Sequence, residues 1–358
     1  MSIWFFSDPH LGVVRNSHTT VASRQRLRQK VFDTVARRVQ GDGTPAICLG
    51  DLFDTSDNDE ATILQGYNIV NRCKVVLAGN HDLPNREGKL SSVQLLAEIF
   101  PDRIVINDVG SYGCRAYLEG SKGAEVLIMA VPHCSSQALF EASLDEATND
   151  ARVDASLAEK AGRALSPRFL CLHCNYGSNF IQNDASLNLT RERAEQLLEV
   201  FDYVLLGHEH MPRRLHGGRL IILGNTHPTS FSDLSDKFVW EFNGSGFIPH
   251  ETWSMDDGYR RINIAQGGID VPESVEFVEV AGTAEPEDMP RIAQEIAQLW
   301  KTHPRLLAVR NAVECEALAP AQTSEIQRVM DLPTKVSEAL AGDEKLRGLW
   351  LHYLGDVA

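Results

Sequence analysis

Five short clusters of side chains suited to metal ions punctuate the first two thirds of the chain: Asp8-Pro-His10, Gly50-Asp51-Leu-Phe-Asp54, Gly79-Asn80-His81-Asp82, a lone His173, and Gly207-His208-Glu-His210. Asp8 and His10 stand two residues apart, as do His208 and His210. In an extended backbone such a pair points the same way and can share one metal ion. The glycine before His208 is expected to let the backbone turn sharply. Imidazole, carboxylate and a neutral amide oxygen form a donor set that favours manganese, iron or zinc over magnesium or calcium. Two divalent cations about 3.5–4 Å apart repel unless an anion lies between them, a role that suits a carboxylate such as Asp51. Such a pair draws a nucleophile from water near neutral pH and neutralises charge on a phosphoryl group during in-line attack. Each cluster is commonplace alone. The five together, in this order, point to a two-metal hydrolytic centre.

Short apolar runs alternating with helical patterns must position these groups, the signature of an α/β core. Strands are expected at residues 3–7, 46–49, 74–78, 126–131, 168–172, 203–206 and 220–223. A helix is expected over 21–39, where Leu27, Val31, Val35 and Val39 recur at helical spacing. The polar clusters follow directly on the strands, and in open α/β sheets ligands bind beyond the carboxyl ends. Residues 238–264 read as antiparallel strands with a turn at Asn243-Gly-Ser-Gly246, which would close a second sheet. The stretch Gln266-Gly-Gly-Ile-Asp-Val-Pro272 is the expected boundary between a catalytic domain, 1–265, and a smaller α/β domain, 270–358. In the smaller domain, a strand at 275–280, a helix at 290–301 and a strand at 306–314 precede helices at 324–340 and 344–354.

Composition excludes several classes. At 358 residues and 43% hydrophobic, the chain can bury a sizeable core. No run approaches the ~20 apolar residues that a membrane helix needs. The start, Met1-Ser-Ile-Trp-Phe-Phe-Ser-Asp8, lacks a basic segment and reads as a strand rather than a leader. Seven cysteines without framework spacing read as reduced thiols of a cytoplasmic protein. Cys171 and Cys174 have no second pair at a zinc-ribbon distance, so a structural zinc is set aside. A net charge of −15 argues against wholesale coating of nucleic acid. Arg15, Arg24, Arg26, Arg28, Lys30, Arg37 and Arg38 nevertheless gather near the first cluster, as a solvated helix face or a phosphate track. No nucleotide-binding Gly-x-x-x-x-Gly-Lys-Ser/Thr loop occurs.

Taken together, the five clusters resemble the calcineurin-like metallophosphoesterase superfamily. Within it the chain is most similar to SbcD-type nuclease subunits of double-strand-break repair and to tailed-phage recombination endonucleases. That similarity is carried by Asp8-Pro-His-Leu-Gly12, Gly50-Asp-Leu-Phe-Asp-Thr55, Gly224-Asn-Thr-His-Pro-Thr-Ser-Phe-Ser-Asp233 and Glu251-Thr-Trp-Ser-Met-Asp-Asp-Gly-Tyr-Arg-Arg261. It covers residues 1–265 and implies a four-layer α/β sandwich of two mixed β-sheets flanked by helices, with a small C-terminal α/β domain.

The resemblance implies two divalent metal ions, manganese above all. Asp8, His10 and His210 would hold one, Asn80, His173 and His208 the other, with Asp51 between them. His81 would stand over the scissile phosphate, stabilising charge or protonating the leaving oxygen, with Asp82 orienting its ring. Asp54 would support the shell around the metals. His133 and His227 depart from the family pattern and are not assigned as ligands, and His18 is exposed or faces DNA. The implied activity is a DNA exo/endonuclease that processes ends, as a homodimer and with an SbcC-type SMC-like ATPase. Leu346, Leu349, Trp350, Tyr353 and Leu354 form a stripe that could meet that partner's coiled coil or pack on its own domain. Other readings are a phosphodiesterase for cyclic nucleotides or nucleotides, and an inactive scaffold. Against the scaffold, no ligand position carries an apolar residue.

Overall fold

The apolar runs become strands because both their faces are covered. A computed structural model describes residues 2–13, 18–39, 43–84, 88–106, 114–119, 125–163, 165–178, 187–264 and 270–316. One six-stranded sheet runs β14 (Phe247–Trp253), β13 (Lys237–Phe242), β1 (Ile3–Phe6), β2 (Ala46–Cys48), β3 (Cys73–Leu77), β4 (Ile104–Val105). The other runs β11 (Arg213–Leu215), β12 (Leu220–Ile222), β10 (Tyr203–Gly207), β7 (Leu165–His173), β6 (Glu125–Val131), β5 (Cys114–Glu119). A short pair joins β8 (Asn175–Tyr176) to β9 (Asn188–Leu189), and a three-stranded sheet follows the order β15 (Tyr259–Asn263), β16 (Phe277–Ala284), β17 (Ala308–Cys315). The helices are α1 (Val21–Val39), α2 (Glu60–Val70), α3 (Ser92–Ile99), α4 (Gln137–Lys160), α5 (Arg191–Leu197), α6 (Met255–Gly258) and α7 (Met289–Thr302).

Side chains alternate along each strand, so the central strands of the two large sheets feed two cores. Ile3, Phe5, Ile47, Leu49, Phe169, Cys171 and Leu205 meet between the two large sheets. On the far side of the first sheet, Phe6, Cys48 and Val76 pack with Leu27, Val31, Ile69 and Leu96 from α1, α2 and α3. On the far side of the second, Leu170, Leu172, Val204 and Leu206 pack with Phe140, Leu144 and Leu197 from α4 and α5. The result is the helix–sheet–sheet–helix sandwich that the resemblance implied. Side-chain caps start the helices where the sequence changes period: Asp59 for α2, a Ser91–Gln94 capping box for α3, Ser136 for α4 and Thr190 for α5.

One expectation from the sequence is resolved differently. The hairpin β13–β14 does not close a second sheet; it joins the first, with Ile3 opposite Phe242 and Phe5 opposite Trp240. The open edge of β1 would otherwise leave backbone groups unpaired. Trp240 and Phe242 then face the core between the sheets. Part of the basic cluster on α1 finds partners within the chain. Arg28 pairs with Asp59 at 2.7 Å, Lys30 with Glu276 at 2.5 Å, and Arg26 donates to the Leu306 carbonyl at 2.8 Å. Arg15 lies outside the described residues.

The chain clusters into two units. The first comprises Met1–Arg261, Asp270–Glu279 and His303–Arg310; the second comprises Ile262–Ile269, Val280–Thr302 and Asn311–Ala358. The expected helices at 324–340 and 344–354, with Leu346, Leu349, Trp350, Tyr353 and Leu354, lie outside the described residues. Among the described residues no helix is long and apolar enough to cross a membrane.

Candidate metal centre

The strands β1 to β4 are mutually parallel, and so are β6, β7, β10 and β12, so the loops leaving their carboxyl ends collect together. Asp8, His10, Asp51 and His173 are buried there, Asn80, His208 and His210 are half-buried, and His81 is exposed.

The backbone that presents Asp8 and His10 is not extended, as their spacing had suggested. Both are left-handed, with φ of 50° and 47°, and Asp51 (47°) and His208 (86°) share that conformation. Left-handed backbone costs a non-glycine residue roughly 1–2 kcal/mol, and such strain gathers at functional sites. Main-chain bonds hold it in place: Asp8 donates to the Gly50 carbonyl at 3.0 Å, His10 to that of Asp51 at 3.1 Å, and Leu11 to that of Leu52 at 2.9 Å. Gly207 plays a different part from the one expected. The turn falls on His208, while a Cβ at Gly207 would collide with the Ser7 hydroxyl and the Leu49 carbonyl. Glycine is needed there because the two sheets' loops touch.

The expected ligands fall into adjoining groups. Asp8, His10 and His210 place one ligand atom each within 4.8 Å of the others, as do Asp51, His173 and His208. A third such group, His10, Asp51 and His81, lies between them and shares a residue with each. In the first group the His10 and His210 Nε2 atoms face each other at 3.0 Å. Their Nδ1 atoms are turned to carboxylates: His10 to Asp54 at 3.4 Å, His210 to Asp233 at 3.3 Å. The Asp8 carboxylate accepts the His208 amide at 2.9 Å. Burial, reinforced by Asp51, raises its pKa.

In the second group, His173 Nδ1 donates to the Leu49 carbonyl at 2.7 Å, which turns Nε2 toward Asn80 Oδ1 (3.1 Å) and Asp51 Oδ2 (3.4 Å). The His208 Nδ1 also approaches Asn80 Oδ1, at 2.9 Å. Burial lowers the His173 imidazole, but Asp51 and Asp8 outweigh it and bring it up to about 9. Burial and the charge on His173 push His208 down to about 3. Asp51 is held well below the usual carboxylate range, where His173 and His10 overcome the effect of its burial.

These residues fit a pair of divalent cations. Imidazole nitrogens with the opposite ring nitrogen anchored to carboxylate or carbonyl are the arrangement that orients histidine toward metal. The His10 and His210 Nε2 atoms, 3.0 Å apart, are close enough for both to ligate one cation. The set of nitrogen, carboxylate and amide oxygen suits manganese, iron or zinc.

His81 and Asp82 part company. The His81 ring is set by Asp54, whose carbonyl accepts from Nδ1 at 2.7 Å, and the His81 amide donates to Asp51 Oδ1 at 2.9 Å. Asp82 does not orient that ring. It is buried and accepts the amides of Leu52 (3.1 Å), Phe53 (3.0 Å) and Gly79 (2.9 Å), tying the second and third loops together. Burial and the neighbouring Asp51 push its pKa up to about 7 against the pull of those amides.

Asp233 and Lys237 carry roles that the sequence reading did not assign. Asp233 sat inside the Gly224–Asp233 motif without a function, and a lysine four residues on gave no signal of burial. His133 is buried beside His173, with ring centroids 6.2 Å apart, and burial takes it down to about 4. It belongs to none of the three groups. His227 is buried against the Pro228 carbonyl and Glu276, and His18 is exposed, edge-on to Phe231.

The sequence matches the calcineurin-like phosphoesterase family over residues 1–212. No curated protein matches the chain significantly. Among solved structures it is similar to GAP50, the anchor in the inner membrane complex of Plasmodium, at 12% identity and a TM-score of 0.35, covering 70% of this chain and 84% of that one. It is also similar to wild-type Vps29 complexed with zinc from Entamoeba histolytica, at 10% identity and a TM-score of 0.25, covering 70% of this chain and 99% of that one. Neither likeness bears on the chemistry. The family match spans more than half of the chain, which therefore belongs to the calcineurin-like phosphoesterases, hydrolases that cleave phosphoester bonds with divalent metal ions.

Proposed function

We propose that the protein is a manganese-dependent DNA exo/endonuclease subunit that processes DNA ends in recombination or repair. The observation that carries this reading is the openness of the site. Among the described residues His81 is exposed and Asn80, His208 and His210 are half-buried, which leaves room for a phosphodiester within a polymer to reach them. The resemblance of Gly50–Thr55 and Gly224–Asp233 to SbcD-type nucleases points the same way.

Asp8, His10 and His210 would hold one cation in this reading, Asn80, His173 and His208 the other, and Asp51 would serve both. When bound, the cations lower the pKa of water and offset the charge of the phosphoryl group. The chain's own part is orientation and proton transfer. With Nδ1 donating to the Asp54 carbonyl, His81 has Nε2 left for the leaving oxygen.

The protein acts in the cytoplasm as a homodimer with an SbcC-type ATPase in this reading. In support of a homodimer, Leu64, Tyr67, Leu95 and Ile99 on α2 and α3 are exposed, with Leu90 just ahead of α3. Contiguous exposed apolar side chains mark association surfaces, and α2 packs on α3. Docking of the ATPase falls to residues 344–354.

Digestion of linear, single-stranded and circular DNA with manganese, beside a cyclic nucleotide and with His81→Ala as control, tests the reading. DNA degradation that disappears in the variant is the expected result. Turnover of the cyclic nucleotide alone would overturn the nuclease assignment and leave a small-molecule phosphodiesterase.

A further inference from the structure

We infer that Asp233, locked by the buried Lys237, is a positioning residue that sets the affinity of the Asp8–His10–His210 group for its cation. This inference rests on the two-metal reading of the site. Asp233 Oδ2 faces His210 Nδ1 at 3.3 Å and also takes the Asn225 side-chain amide and the Thr229 main-chain N–H at 3.4 Å. Its other oxygen, Oδ1, accepts from Lys237 Nζ at 2.5 Å. Lys237 is fully buried and donates as well to the His210 main-chain carbonyl at 3.1 Å. One lysine thus grips the histidine from both sides, directly through its backbone and through Asp233 on its ring.

The arrangement does more than fill space. A buried ion pair is costly to desolvate, and a well-packed apolar pair of similar volume would often serve stability as well. Here each partner contacts His210, the residue whose Nε2 faces His10. A carboxylate on Nδ1 fixes the tautomer, makes the opposite nitrogen a stronger donor and limits ring rotation. Lys237 in turn fixes the carboxylate and offsets its charge.

The two halves of the centre are unequal in this respect. His10 and His210 are both backed by carboxylates, Asp54 and Asp233. His173 donates its Nδ1 to the neutral Leu49 carbonyl, while the His208 Nδ1 faces Asn80, a candidate ligand of the same cation. Removing Asp233 therefore weakens one cation site and spares the other, an effect that general loosening of the fold would not produce.

The test is titration of manganese(II) into metal-free protein, followed calorimetrically and by electron paramagnetic resonance, with thermal melting alongside. Asp233→Asn alone leaves Lys237 buried with a weaker partner, so Asp233→Asn/Lys237→Met, which leaves neither charge, is measured beside it. The wild-type chain is expected to take up two ions, and each variant to lose about 10–100-fold in affinity at one site only. In an Asn80→Ala background, where the His10–His210 group is left intact, the same substitution should weaken the tighter remaining site by that factor. Two ions bound by a folded variant with wild-type affinities would overturn the inference while leaving the metal centre standing. A wild-type chain that takes up no manganese would overturn the two-metal reading, and the inference with it.

Discussion

His10 and His210 lie 200 residues apart in sequence, yet their Nε2 atoms face each other at 3.0 Å. One follows β1 in the first sheet and the other follows β10 in the second. Each turns its opposite nitrogen to a buried carboxylate, Asp54 or Asp233. The pairing therefore forms only when the two sheets pack, and cation binding at this point is coupled to folding.

Asp51 is the ligand whose loss should cost both cations, because its atoms group with His10 and His81 on one side and with His173 and His208 on the other. Metal analysis of Asp51→Ala is expected to find both positions empty and hydrolysis abolished. Full occupancy by two ions would show that it bridges nothing.

His81→Ala should keep its metals and lose about 10²–10⁴-fold in kcat, the usual contribution of a positioned proton donor. Loss of metal together with activity would make His81 a ligand. Asp82→Ala is expected to act differently, since it strands three buried amides. It should destabilise the fold by about 3 kcal/mol or more, read in a denaturant melt.

Metal-free protein should become less stable as pH rises above neutrality. The folded pKa of His173, about 9, lies above its ordinary 6.5, so the stabilisation from its charged form is complete below 6.5 and is lost as pH rises through 9. His210 is shifted in the same direction, where its contact with Asp233 outweighs burial. For His173 the slope approaches about 1.4 kcal/mol per pH unit between its two pKa values. Denaturant melts between pH 6.5 and about 7.5, below the titration of thiols, would show it. Saturating manganese, which displaces the protons, should flatten the dependence; an unchanged slope would mean that these imidazoles are not the ligands.

Gly207→Ala should disturb the centre without removing a ligand, the new Cβ also approaching His173 Nδ1 at 3.0 Å. The added methyl meets Ser7 and Leu49, and such overpacking costs about 1–3 kcal/mol. A lower melting temperature with weaker manganese binding is expected, and a wild-type titration would show that the loops can part at no cost.

Leu95→Glu with Ile99→Glu places charge on the exposed apolar face of α2 and α3. Light scattering should report a dimer for the wild-type chain and a monomer for the double variant. A monomeric wild type would remove the homodimer from the proposal.

Much of the architecture was legible locally. Helix α1 runs over the residues expected, because Leu27, Val31, Val35 and Val39 recur at the period of a helix and are buried in its core. The strands carrying the clusters were legible from short apolar runs, and the ligand candidates from residue type and order. Periodicity and donor chemistry are properties of a segment and its near neighbours, so a sequence displays them directly. Tertiary structure alone decided the rest. It put left-handed backbone at Asp8 and His10, sent Asp82 to three amides instead of the His81 ring, and placed the β13–β14 hairpin beside β1. It also chose Asp233, and not the nearby Asp236, to hold His210. Nothing near these residues in the chain separates the two aspartates. Their difference arises when loops from two sheets meet in a space with little water, where each buried polar atom must find a partner and geometry decides which one is in reach.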